Sequence, residues 1–403
     1  MAIRWECLSR GPRTTLVQAL AGVWTDRHSE EKRRGITIKL GYADAIILKC
    51  PSCPPPDCYF TLAMAGGWKC PKCGSEAEFV RKVSFVDSPG HERLMATMIS
   101  GASLMDGCVF VVAANEFCPQ PQTREHFAAL EIIGVRNVVI VQNKVELVSR
   151  EKALENFRQI KRFIGGSFAE DAPIVPVSAV FGVNLDALLQ FMEEHIPNPV
   201  RDPGKPLRMY VARSFDVNKP GTRPEDLVGG VIGGTIIQGR VRVGDEVEIR
   251  PGVAVKGKFE PIYADVVSLH AGDVWLEEAL PGGLIGVGTR LDPSLTKADG
   301  LIGNVVGSPG TLPPVREDLC IELHLMDRVV GSEELSRVEN VRVNEALMLN
   351  VGSAVTVGVV SSIRSGEVEV ALRRPVCAED GQRVAVSRMV SGRWRLIGWG
   401  IIC

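Results

Sequence analysis

Asp87, Gly90 and His91 form the short motif whose residue types could most directly do chemistry. The run Val83–Val86 predicts a buried strand that ends at Asp87. A carboxylate at the carboxyl end of a strand can hold Mg²⁺ through water, and a glycine after it can turn its backbone N–H toward a terminal phosphate. Most Asp-x-x-Gly sequences are plain turns, so the interpretation as a γ-phosphate sensor depends on the residues that follow the neighbouring strands.

The chain beyond Asp87 alternates amphipathic helices with continuous apolar strands. The predicted helices cover about 91–104, 123–133, 150–164 and 185–196, and the predicted strands cover 108–113, 138–142 and 174–177. This alternation predicts an α/β domain with a doubly wound, mostly parallel sheet, whose ligands bind beyond the carboxyl ends of the strands. Asn143 and Ser178 each follow a predicted strand, as Asp87 does, so the three side chains are expected at one edge.

The segment Asn143-Lys144-Val145-Glu146 has the residue types needed to recognise guanine. The Glu146 carboxylate can accept hydrogen bonds from the ring N–H and the exocyclic amine together, a pair that adenine does not offer. Asn143 would contact the other edge of the purine, and the Lys144 stem would cover the ring face. Ser178-Ala179-Val180 would supply a backbone N–H to the guanine oxygen. Alone, the segment is typical of a solvated loop, but its place at the predicted edge favours guanine.

The residues before Thr14-Thr15 lie where a phosphate-binding loop would precede a helix. Such a loop requires Gly-x-x-x-x-Gly-Lys-Ser/Thr, because bare backbone N–H groups must wrap the phosphates. Gly11 is present, but Pro12 has no N–H to donate and Arg13 stands at the lysine position. The residues up to Cys7, which occupies the first glycine position, are predicted to make a poor buried strand. The loop is broken as the sequence stands.

A polar and charged stretch ends in Arg33-Arg34-Gly35-Ile36-Thr37. A loop that presents a threonine after Arg-Gly-Ile can supply a hydroxyl to Mg²⁺. The alternative interpretation is a solvated loop that enters a strand.

Two Cys-x-x-Cys pairs, Cys50 with Cys53 and Cys70 with Cys73, are separated by 16 residues. This spacing is typical of a structural zinc ribbon with tetrahedral thiolate ligation, and the alternatives are chance spacing and redox use. Cys58 lies between the pairs, but no second cysteine supports it as a ligand. The sequence therefore predicts one zinc site with four cysteine ligands.

The proline-rich segment 197–206 predicts the main domain boundary, because helical periodicity stops there and short strands with glycine turns begin. The ribbon is predicted to interrupt a strand pair formed by 42–49 and 79–86. Beyond the linker the chain is predicted to form two small β-barrels. The predicted domains are a nucleotide-binding domain at 1–200 with a zinc ribbon at about 50–74, a barrel at 206–313 and a barrel at 314–403.

The composition indicates which broad classes of protein the chain can belong to. A length of 403 residues, 45% hydrophobic content and 23% charged content are typical of a globular chain with two or three domains. The net charge of −2 argues against a globally basic nucleic-acid coat. No apolar run is long enough to span a membrane and no signal peptide is evident, so no membrane partner is expected. Eleven cysteines, seven of them scattered singly, favour a reducing, cytoplasmic location.

Taken together, these motifs resemble the translational GTPases, and most closely the gamma-subunit family of archaeal and eukaryotic translation initiation factor 2. The resemblance covers roughly residues 13–403 and is carried by the zinc ribbon and by the segments Arg33–Thr37, Asp87–Glu92, Asn143–Glu146, Arg213–Gly221 and Trp394–Gly398. It implies a P-loop-type GTPase domain with an inserted zinc ribbon, followed by two small β-barrels. The ribbon distinguishes this family from elongation factor Tu, which otherwise shares the three domains.

The resemblance also implies a function. A member with GTP bound would carry methionyl initiator tRNA to the small ribosomal subunit, hydrolyse GTP on start-site selection, and assemble with alpha and beta subunits. The implied cofactors are GTP or GDP, Mg²⁺ and Zn²⁺. By position, the phosphate-binding and Mg²⁺-binding roles would belong to Gly11, Arg13, Thr14, Thr15, Gly35, Thr37 and Asp87, with Asp87 acting through water. Gly90 would contact the γ-phosphate and His91 would orient the attacking water.

The degenerate phosphate loop leaves alternatives open. If the residues are as they stand, phosphate affinity should be reduced, because arginine does not replace the compact reach of lysine. The abrupt loss of similarity upstream of Thr14 is expected to reflect a frameshifted or misassigned gene start, or else a truly degenerate loop. A second hypothesis is therefore a scaffold of the same architecture that binds initiator tRNA and sibling subunits without cycling nucleotide. A third is an elongation factor Tu-like carrier of a special aminoacyl-tRNA.

Overall fold

The computed structural model describes residues 2–7, 13–24, 41–87, 95–102, 104–326, 337–364 and 366–403. The chain divides into two compact units, one centred on Ala2–Pro199 and the other on Val200–Asp327 with Val338–Cys403. Within the described ranges, no helix is both long enough and apolar enough to cross a membrane.

A seven-stranded sheet forms the centre of the first unit. Its strands are β1 (Ala2–Cys7), β2 (Gly41–Lys49), β3 (Tyr59–Thr61), β4 (Glu78–Asp87), β5 (Gly107–Ala113), β6 (Val138–Asn143) and β7 (Ile174–Val177), in the spatial order β3-β2-β4-β1-β5-β6-β7. The helices are α1 (Arg13–Ala21), α2 (Leu62–Ala65), α3 (Met95–Ala102), α4 (Pro121–Ile133), α5 (Arg150–Ile164) and α6 (Leu185–His195). The five strands from β4 to β7 in this order are parallel, whereas β2 and β3 are antiparallel. The predicted mostly parallel sheet and the interrupted strand pair are both confirmed.

The residues up to Cys7, whose sequence did not favour a strand, form β1. Strand β1 lies inside the sheet, where it pairs in parallel with β4 along its whole length and with β5 over its last three residues. Backbone ladders on two sides hold this strand, and they do not require the continuous apolar run that the sequence lacks. Because Cys7 pairs with Asp87 and α1 begins at Arg13, the segment between β1 and α1 starts at the carboxyl edge of the sheet.

The central strands are covered on both faces. All seven residues of β5 and all six of β6 are buried, as expected of parallel strands without polar alternation. Leu16, Val17 and Leu20 of α1 are each at most 1% exposed and belong to the same core cluster as Val83 and Phe85 of β4. This packing positions the strand ends, and with them the polar residues that follow the strands.

The second unit consists of two antiparallel barrels. The first contains β8 (Arg208–Phe215), β9 (Val231–Gln238), β10 (Val241–Arg242), β11 (Glu246–Val255), β12 (Lys258–Ala271), β13 (Val274–Leu276), β14 (Glu278–Ala279), β15 (Leu284–Thr289), α7 (Pro293–Thr296) and β16 (Val305–Gly307). The ring β11-β16-β8-β9-β15-β12 closes because β11 also pairs with β12. The second barrel is closed in the order β17-β20-β19-β18-β21-β22, formed by β17 (Val315–Leu325), β18 (Ala346–Val351), β19 (Ala354–Arg364), β20 (Glu367–Cys377), β21 (Arg383–Val390) and β22 (Arg393–Ile402). The predicted pair of barrels is confirmed.

A buried carboxylate fixes the connection between the two barrels. Glu248 of β11 is fully buried and accepts hydrogen bonds from Arg250 Nε at 2.6 Å and from the Gly310 N–H at 2.7 Å. Arg250 Nη1 in turn donates to the carbonyl oxygens of Leu312 and Pro313 at 3.3 and 3.2 Å. The connecting segment is thereby attached to the first barrel by charge-assisted hydrogen bonds, which are stronger than neutral ones.

A buried guanidinium anchors the end of α6 to the sheet. Arg81 of β4 is 4% exposed, and its Nε lies 2.6 Å from Glu193 Oε1. Its Nη1 and Nη2 donate to the carbonyl oxygens of Ile196 and Met192 at 2.8 and 3.0 Å, which satisfies groups at the helix C-terminus. Burial lowers the pKa of Arg81 and raises the pKa of Glu193, and the attraction between the two charges opposes both shifts.

Substitution of Arg81 should therefore lower the stability of the first unit. We expect Arg81→Met to lower the free energy of unfolding of the first unit by roughly 3 kcal/mol, because it leaves a half-buried carboxylate without its cation. Native-state hydrogen exchange of the β4 amides measures this change. The matched control Arg158→Met replaces an exposed arginine of α5 and should change the free energy by less than about 0.5 kcal/mol. Equal effects of the two variants would contradict the anchoring role.

Candidate functional site

The carboxyl edge of the parallel strands brings the predicted residues together. Asp87 is the last residue of β4, Asn143 is the last residue of β6, and Ser178 follows the end of β7. All three are buried, with exposures of 0%, 2% and 1%. Because parallel strands end at the same edge, this is the crevice in which ligands of such sheets bind. The prediction that these residues share one edge is confirmed.

Several predicted site residues lie outside the part of the chain that the structure describes. They are Gly11, Gly35, Thr37, Gly90 and His91. The backbone of Arg13-Thr14-Thr15 forms the first turn of α1, and Thr15 is half-buried. The N–H groups of a first helical turn have no partner within the helix, so this turn can meet an anion at the edge where β1 ends.

The Asn143 side chain joins two of the loops at this edge. Its Oδ1 accepts a hydrogen bond from the Lys144 N–H at 2.8 Å and another from the Ala179 N–H at 3.1 Å. Lys144 has a φ of 64°, in the left-handed region, so the chain turns sharply directly after β6. A single buried carboxamide thus fixes the start of both loops relative to each other.

The loop after β7 is closed on itself. Ser178 and Val183 exchange backbone hydrogen bonds at 3.3 and 3.0 Å, and Asn184 Nδ2 donates to the Pro176 carbonyl at 2.8 Å. Within the described ranges the Ser178 hydroxyl is buried without a hydrogen-bond partner. Because the Ser178 and Ala179 N–H groups bind protein oxygens, the exposed Val180 is left to offer an N–H to a ligand.

The acidic residue proposed for guanine recognition is presented to solvent. Val145–Leu147 forms a short 3₁₀ helix directly after Lys144. Glu146 of this helix is exposed, and Lys144 is half-buried. The Glu146 carboxylate can therefore reach a ligand, and the Lys144 stem lies on the same turn. A carboxylate that accepts hydrogen bonds and a nearby side-chain amide that can donate them suit the edge of a purine.

Residues that the sequence patterns did not identify support this edge from behind. Gln142 Nε2 donates to the Ala153 carbonyl and to Asn156 Oδ1, both at 2.8 Å. Asn156 Nδ2 donates to the Glu116 carbonyl at 2.7 Å. The sequence offered one signal for this support, Gln142 at the end of an apolar strand, because a buried amide requires hydrogen-bond partners. These bonds attach α5 to the end of β6 and so position Asn143.

The four predicted cysteines form one cluster. The Sγ atoms of Cys50, Cys53, Cys70 and Cys73 all lie within 4.8 Å of one another. Cys50 Sγ is 3.4 Å from Cys73 Sγ, and Cys53 Sγ is 3.8 Å from Cys70 Sγ. A tetrahedral zinc site with Zn–S bonds of about 2.3 Å requires sulfur separations of about 3.8 Å. The donor set therefore fits a structural zinc ion, and Cys58 is not part of the cluster.

The backbone and the local charges suit thiolate ligands. The Gly74 N–H donates to the Cys70 carbonyl at 2.9 Å, and Gly74 has a φ of 76°, which is the left-handed turn expected in a knuckle. Hydrogen bonds with the Ser75 hydroxyl and backbone N–H lower the pKa of Cys73 to about 6. The hydrogen bond with Cys73 raises the pKa of Cys53 to about 12. Zinc binds deprotonated cysteine, so the lowered pKa of the exposed Cys73 suits a metal ligand.

The ribbon is attached to the rest of the first unit through its second knuckle. Lys72 Nζ forms ion pairs with Asp57 of the ribbon and, at 3.2 Å, with Asp186 of α6. Asp186 lies in the first turn of the helix that follows the Ser178–Val183 loop. These are exposed pairs that contribute little to stability, but they orient the ribbon toward the carboxyl edge of the sheet.

Three family models match the chain. The elongation factor Tu GTP binding domain matches residues 6–198, elongation factor Tu domain 2 matches 229–305, and the C-terminal domain of initiation factor eIF2 gamma matches 317–402. Proteins named translation initiation factor 2 subunit gamma are similar over nearly the whole length. The one from Pyrococcus horikoshii is 60% identical over 394 residues, which are 97% of this chain and 94% of the relative. The one from Methanothermobacter thermautotrophicus is 59% identical over 394 residues, which are 97% of this chain and 95% of the relative.

Solved structures show the same fold. A bacterial selenocysteine-specific elongation factor EF-Sec superposes with a TM-score of 0.74 at 23% identity, covering 100% of this chain and 58% of that chain. Translation elongation factor SelB from Methanococcus maripaludis, in complex with a GTP analogue, superposes with a TM-score of 0.73 at 19% identity. That match covers 100% of this chain and 78% of the SelB chain.

Substitution of single cysteines tests whether the cluster binds zinc. We expect Cys50→Ser and Cys73→Ser to abolish stoichiometric zinc binding, because a hydroxyl does not replace a thiolate in a four-sulfur site. Metal analysis of the purified chain by elemental mass spectrometry measures this. Cys58→Ser is the control, since Cys58 lies in the ribbon outside the cluster, and it should keep one zinc per chain. Zinc retained at full stoichiometry in both ligand variants would exclude this ligand set.

Proposed function

We infer that this chain, which belongs to the gamma-subunit family of translation initiation factor 2, binds GTP and GDP at the carboxyl edge of its seven-stranded sheet and hydrolyses GTP. The family is one of translational GTPases, which supports GTPase activity. The observation that carries the proposal is the convergence of Asp87, Asn143 and Ser178 at one buried edge, with Asn143 joining two loops. The Ser178 hydroxyl, which is buried and has no partner among the residues that the structure describes, adds a polar group suited to a ligand.

Guanine recognition is proposed to reside in the two joined loops. Glu146, exposed directly after β6, would accept from the ring N–H and the exocyclic amine of guanine. Asn143 and the Lys144 stem would contact the remaining edge and the face of the base. The segment Ser178-Ala179-Val180 would donate a backbone N–H to the guanine oxygen, and Val180 is the residue whose N–H is open to it. Adenine lacks the donor pair for Glu146, so the pocket would select guanine.

Phosphate and Mg²⁺ binding are proposed at the other end of the same edge. Gly11, Arg13, Thr14 and Thr15 would contact phosphates at the start of α1, which follows β1 in the sheet. The residues that would hold Mg²⁺ are Thr14, Thr37 with Gly35 beside it, and Asp87 through water. Bound Mg²⁺ would neutralise charge on the β- and γ-phosphates.

Hydrolysis is proposed to depend on the residues after β4. Gly90 would donate its backbone N–H to the γ-phosphate, and His91 would orient a water molecule for attack. Asp87 is buried at the carboxyl end of β4, so the segment that begins beyond it starts at the edge where a nucleotide would lie. A residue that positions an attacking water contributes mainly to the transition state and little to nucleotide affinity.

The biological role is proposed from the family. The chain would carry methionyl initiator tRNA to the small ribosomal subunit in the cytoplasm and work with alpha and beta subunits. We propose that it does so with a GTPase domain at 1–200, a barrel at 206–313 and a barrel at 314–403. The identity of about 60% to relatives named as gamma subunits over nearly the whole chain supports this role over that of a carrier of a special aminoacyl-tRNA.

A second candidate is a scaffold that keeps these partners but does not cycle nucleotide. It is favoured by Pro12 and Arg13, which stand where a phosphate-binding loop has glycine and lysine. Proline cannot donate a backbone hydrogen bond, and arginine does not match the reach of lysine. Failure of the unmodified chain to bind GDP or GTP would favour the scaffold and contradict the GTPase.

Replacement of Glu146 tests the proposed base specificity. We expect Glu146→Gln to weaken GDP binding by on the order of 100-fold, because two charge-assisted hydrogen bonds to the base are lost. Xanthosine diphosphate should bind the variant better than it binds the unmodified chain, because the new amide can donate to its additional oxygen. Fluorescence titration with labelled nucleotides measures both affinities. The control Glu155→Gln changes an exposed glutamate of α5 and should leave them unchanged. Unchanged GDP affinity in Glu146→Gln would contradict the assignment.

Replacement of His91 tests the hydrolytic role separately. We expect His91→Ala to slow single-turnover GTP hydrolysis by on the order of 100-fold. GTP affinity should stay within about threefold, since the side chain acts on water in the transition state. The control His195→Ala removes an exposed histidine at the end of α6 and should hydrolyse GTP at the unmodified rate. Equal hydrolysis rates in the His91 variant and the unmodified chain would show that His91 does not orient the attacking water.

A further inference from the structure

Two cysteines outside the ribbon face each other across the seam of the second barrel. Strands β17 and β22 are the first and last strands of this barrel, and their pairing closes it. Ile321 of β17 pairs with Ile402 of β22, so Cys320 and Cys403 are the next opposed residues along the seam. The Cys403 N–H donates to the Cys320 carbonyl at 3.0 Å, which confirms that the two backbones remain in register there.

This arrangement suits a covalent link between the two side chains. Directly opposed residues of an antiparallel pair project on the same face, and their Cα atoms lie about 5.5 Å apart when the residues are hydrogen-bonded. Disulfides span Cα separations of about 4.4–6.8 Å. Both thiols are free. Cys403 lies one residue beyond the end of β22, so a small movement can bring the two sulfur atoms together without disturbing the ladder.

Accessibility distinguishes this pair from the other cysteines. Cys403 is exposed and Cys320 is partly exposed, whereas Cys108, Cys118 and Cys377 are buried. Leaving the four ribbon cysteines aside, Cys320 and Cys403 are both opposed across two strands and accessible to solvent. A solvent reagent can therefore reach Cys403 first, and Cys320 lies beside it.

Acidic residues on the neighbouring strand set the charge of this site. Cys320 Sγ lies 4.0 Å from Glu367 Oε2, and Glu369 pairs with Cys320 across β17 and β20. The hydrogen bond with Cys403, followed by smaller effects of burial and of these charges, raises the pKa of Cys320 to about 12. Cys320 is thus protonated at neutral pH, and the negative surroundings favour a cationic reagent over an anionic one.

We propose that Cys320 and Cys403 form a reversible disulfide that closes the seam of the second barrel in the presence of a small cationic disulfide. The Cys403 thiolate attacks one sulfur of the reagent R–S–S–R, which forms Cys403–S–S–R and releases one thiolate RS⁻. Cys320 then gives up its proton to that thiolate and attacks the Cys403 sulfur, which releases the second RS⁻. The two protein thiols are oxidised, the reagent is reduced to two thiols, and no other oxidant is required.

The link would be regulatory rather than structural in a reducing compartment. Disulfides that are exposed or strained have higher reduction potentials and are readily reduced. Once formed, the bond would join the first and last strands of the barrel and restrict opening of the seam. An excess of the thiol RSH would reverse the exchange, because two RSH are oxidised to R–S–S–R while Cys320 and Cys403 return to free thiols.

The test uses the full chain with cystamine as the cationic disulfide. After incubation and alkylation of the remaining thiols, tryptic digestion without reduction yields peptides 317–328 and 396–403 for mass spectrometry. We expect most chains to contain these two peptides joined, and dithiothreitol to separate them. The linked form should also show hydrogen exchange of the 396–403 amides that is slower by on the order of 10-fold.

Variants make the outcome decisive. Cys403→Ser removes an exposed thiol and should give no linked peptide, whereas the control Cys377→Ser retains both seam cysteines and should give the link in full. Recovery of Cys403 as a stable mixed disulfide with cysteamine, while Cys320 is alkylated, would overturn the proposal. So would a linked peptide that leaves hydrogen exchange of the 396–403 amides unchanged.

Discussion

The Asn143 carboxamide oxygen accepts hydrogen bonds from the backbones of two loops, and the geometry of the carboxyl edge depends on it. The contacts to the Lys144 and Ala179 N–H groups join the loop after β6 to the loop after β7. Gln142, one residue earlier, holds α5 against the same strand end. The Ala179–Asn143 and Gln142–Asn156 bonds are buried, so they are strengthened by the low dielectric and leave costly unpaired groups if broken. The proposed base pocket is therefore preorganised before a ligand arrives.

The four-cysteine ribbon is a second feature whose stability needs an explanation. It is inserted between the antiparallel strands β2 and β4, and its buried apolar residues form only a small cluster around Phe60, Cys50, Cys58 and Cys70. Four thiolates around one metal would supply the missing stability. The Lys72–Asp186 contact then relates the ribbon to α6, the helix that follows the loop after β7. The ribbon and the nucleotide edge are thus built from neighbouring parts of one unit.

Patterns of residue type predicted the elements that repeat and the polar residues that end them. Asp87, Asn143 and Ser178 were identifiable because each interrupts an apolar run, and the cysteines because of their spacing. Contacts between distant positions were not identifiable, since nothing local marks them. Arg81 and Glu193 are 112 positions apart, and β1 pairs through its backbone with β4 and β5.

Nucleotide competition on the unmodified chain, with Mg²⁺ present, tests whether the carboxyl edge binds guanine nucleotides. A fluorescent GDP analogue is bound and then displaced with unlabelled GDP or ADP. We expect GDP to displace it at concentrations at least about 100-fold lower than ADP, because guanine, unlike adenine, would offer the donor pair proposed for Glu146. Equal displacement by ADP, or no binding of the analogue, would contradict a guanine nucleotide site at the carboxyl edge of this sheet.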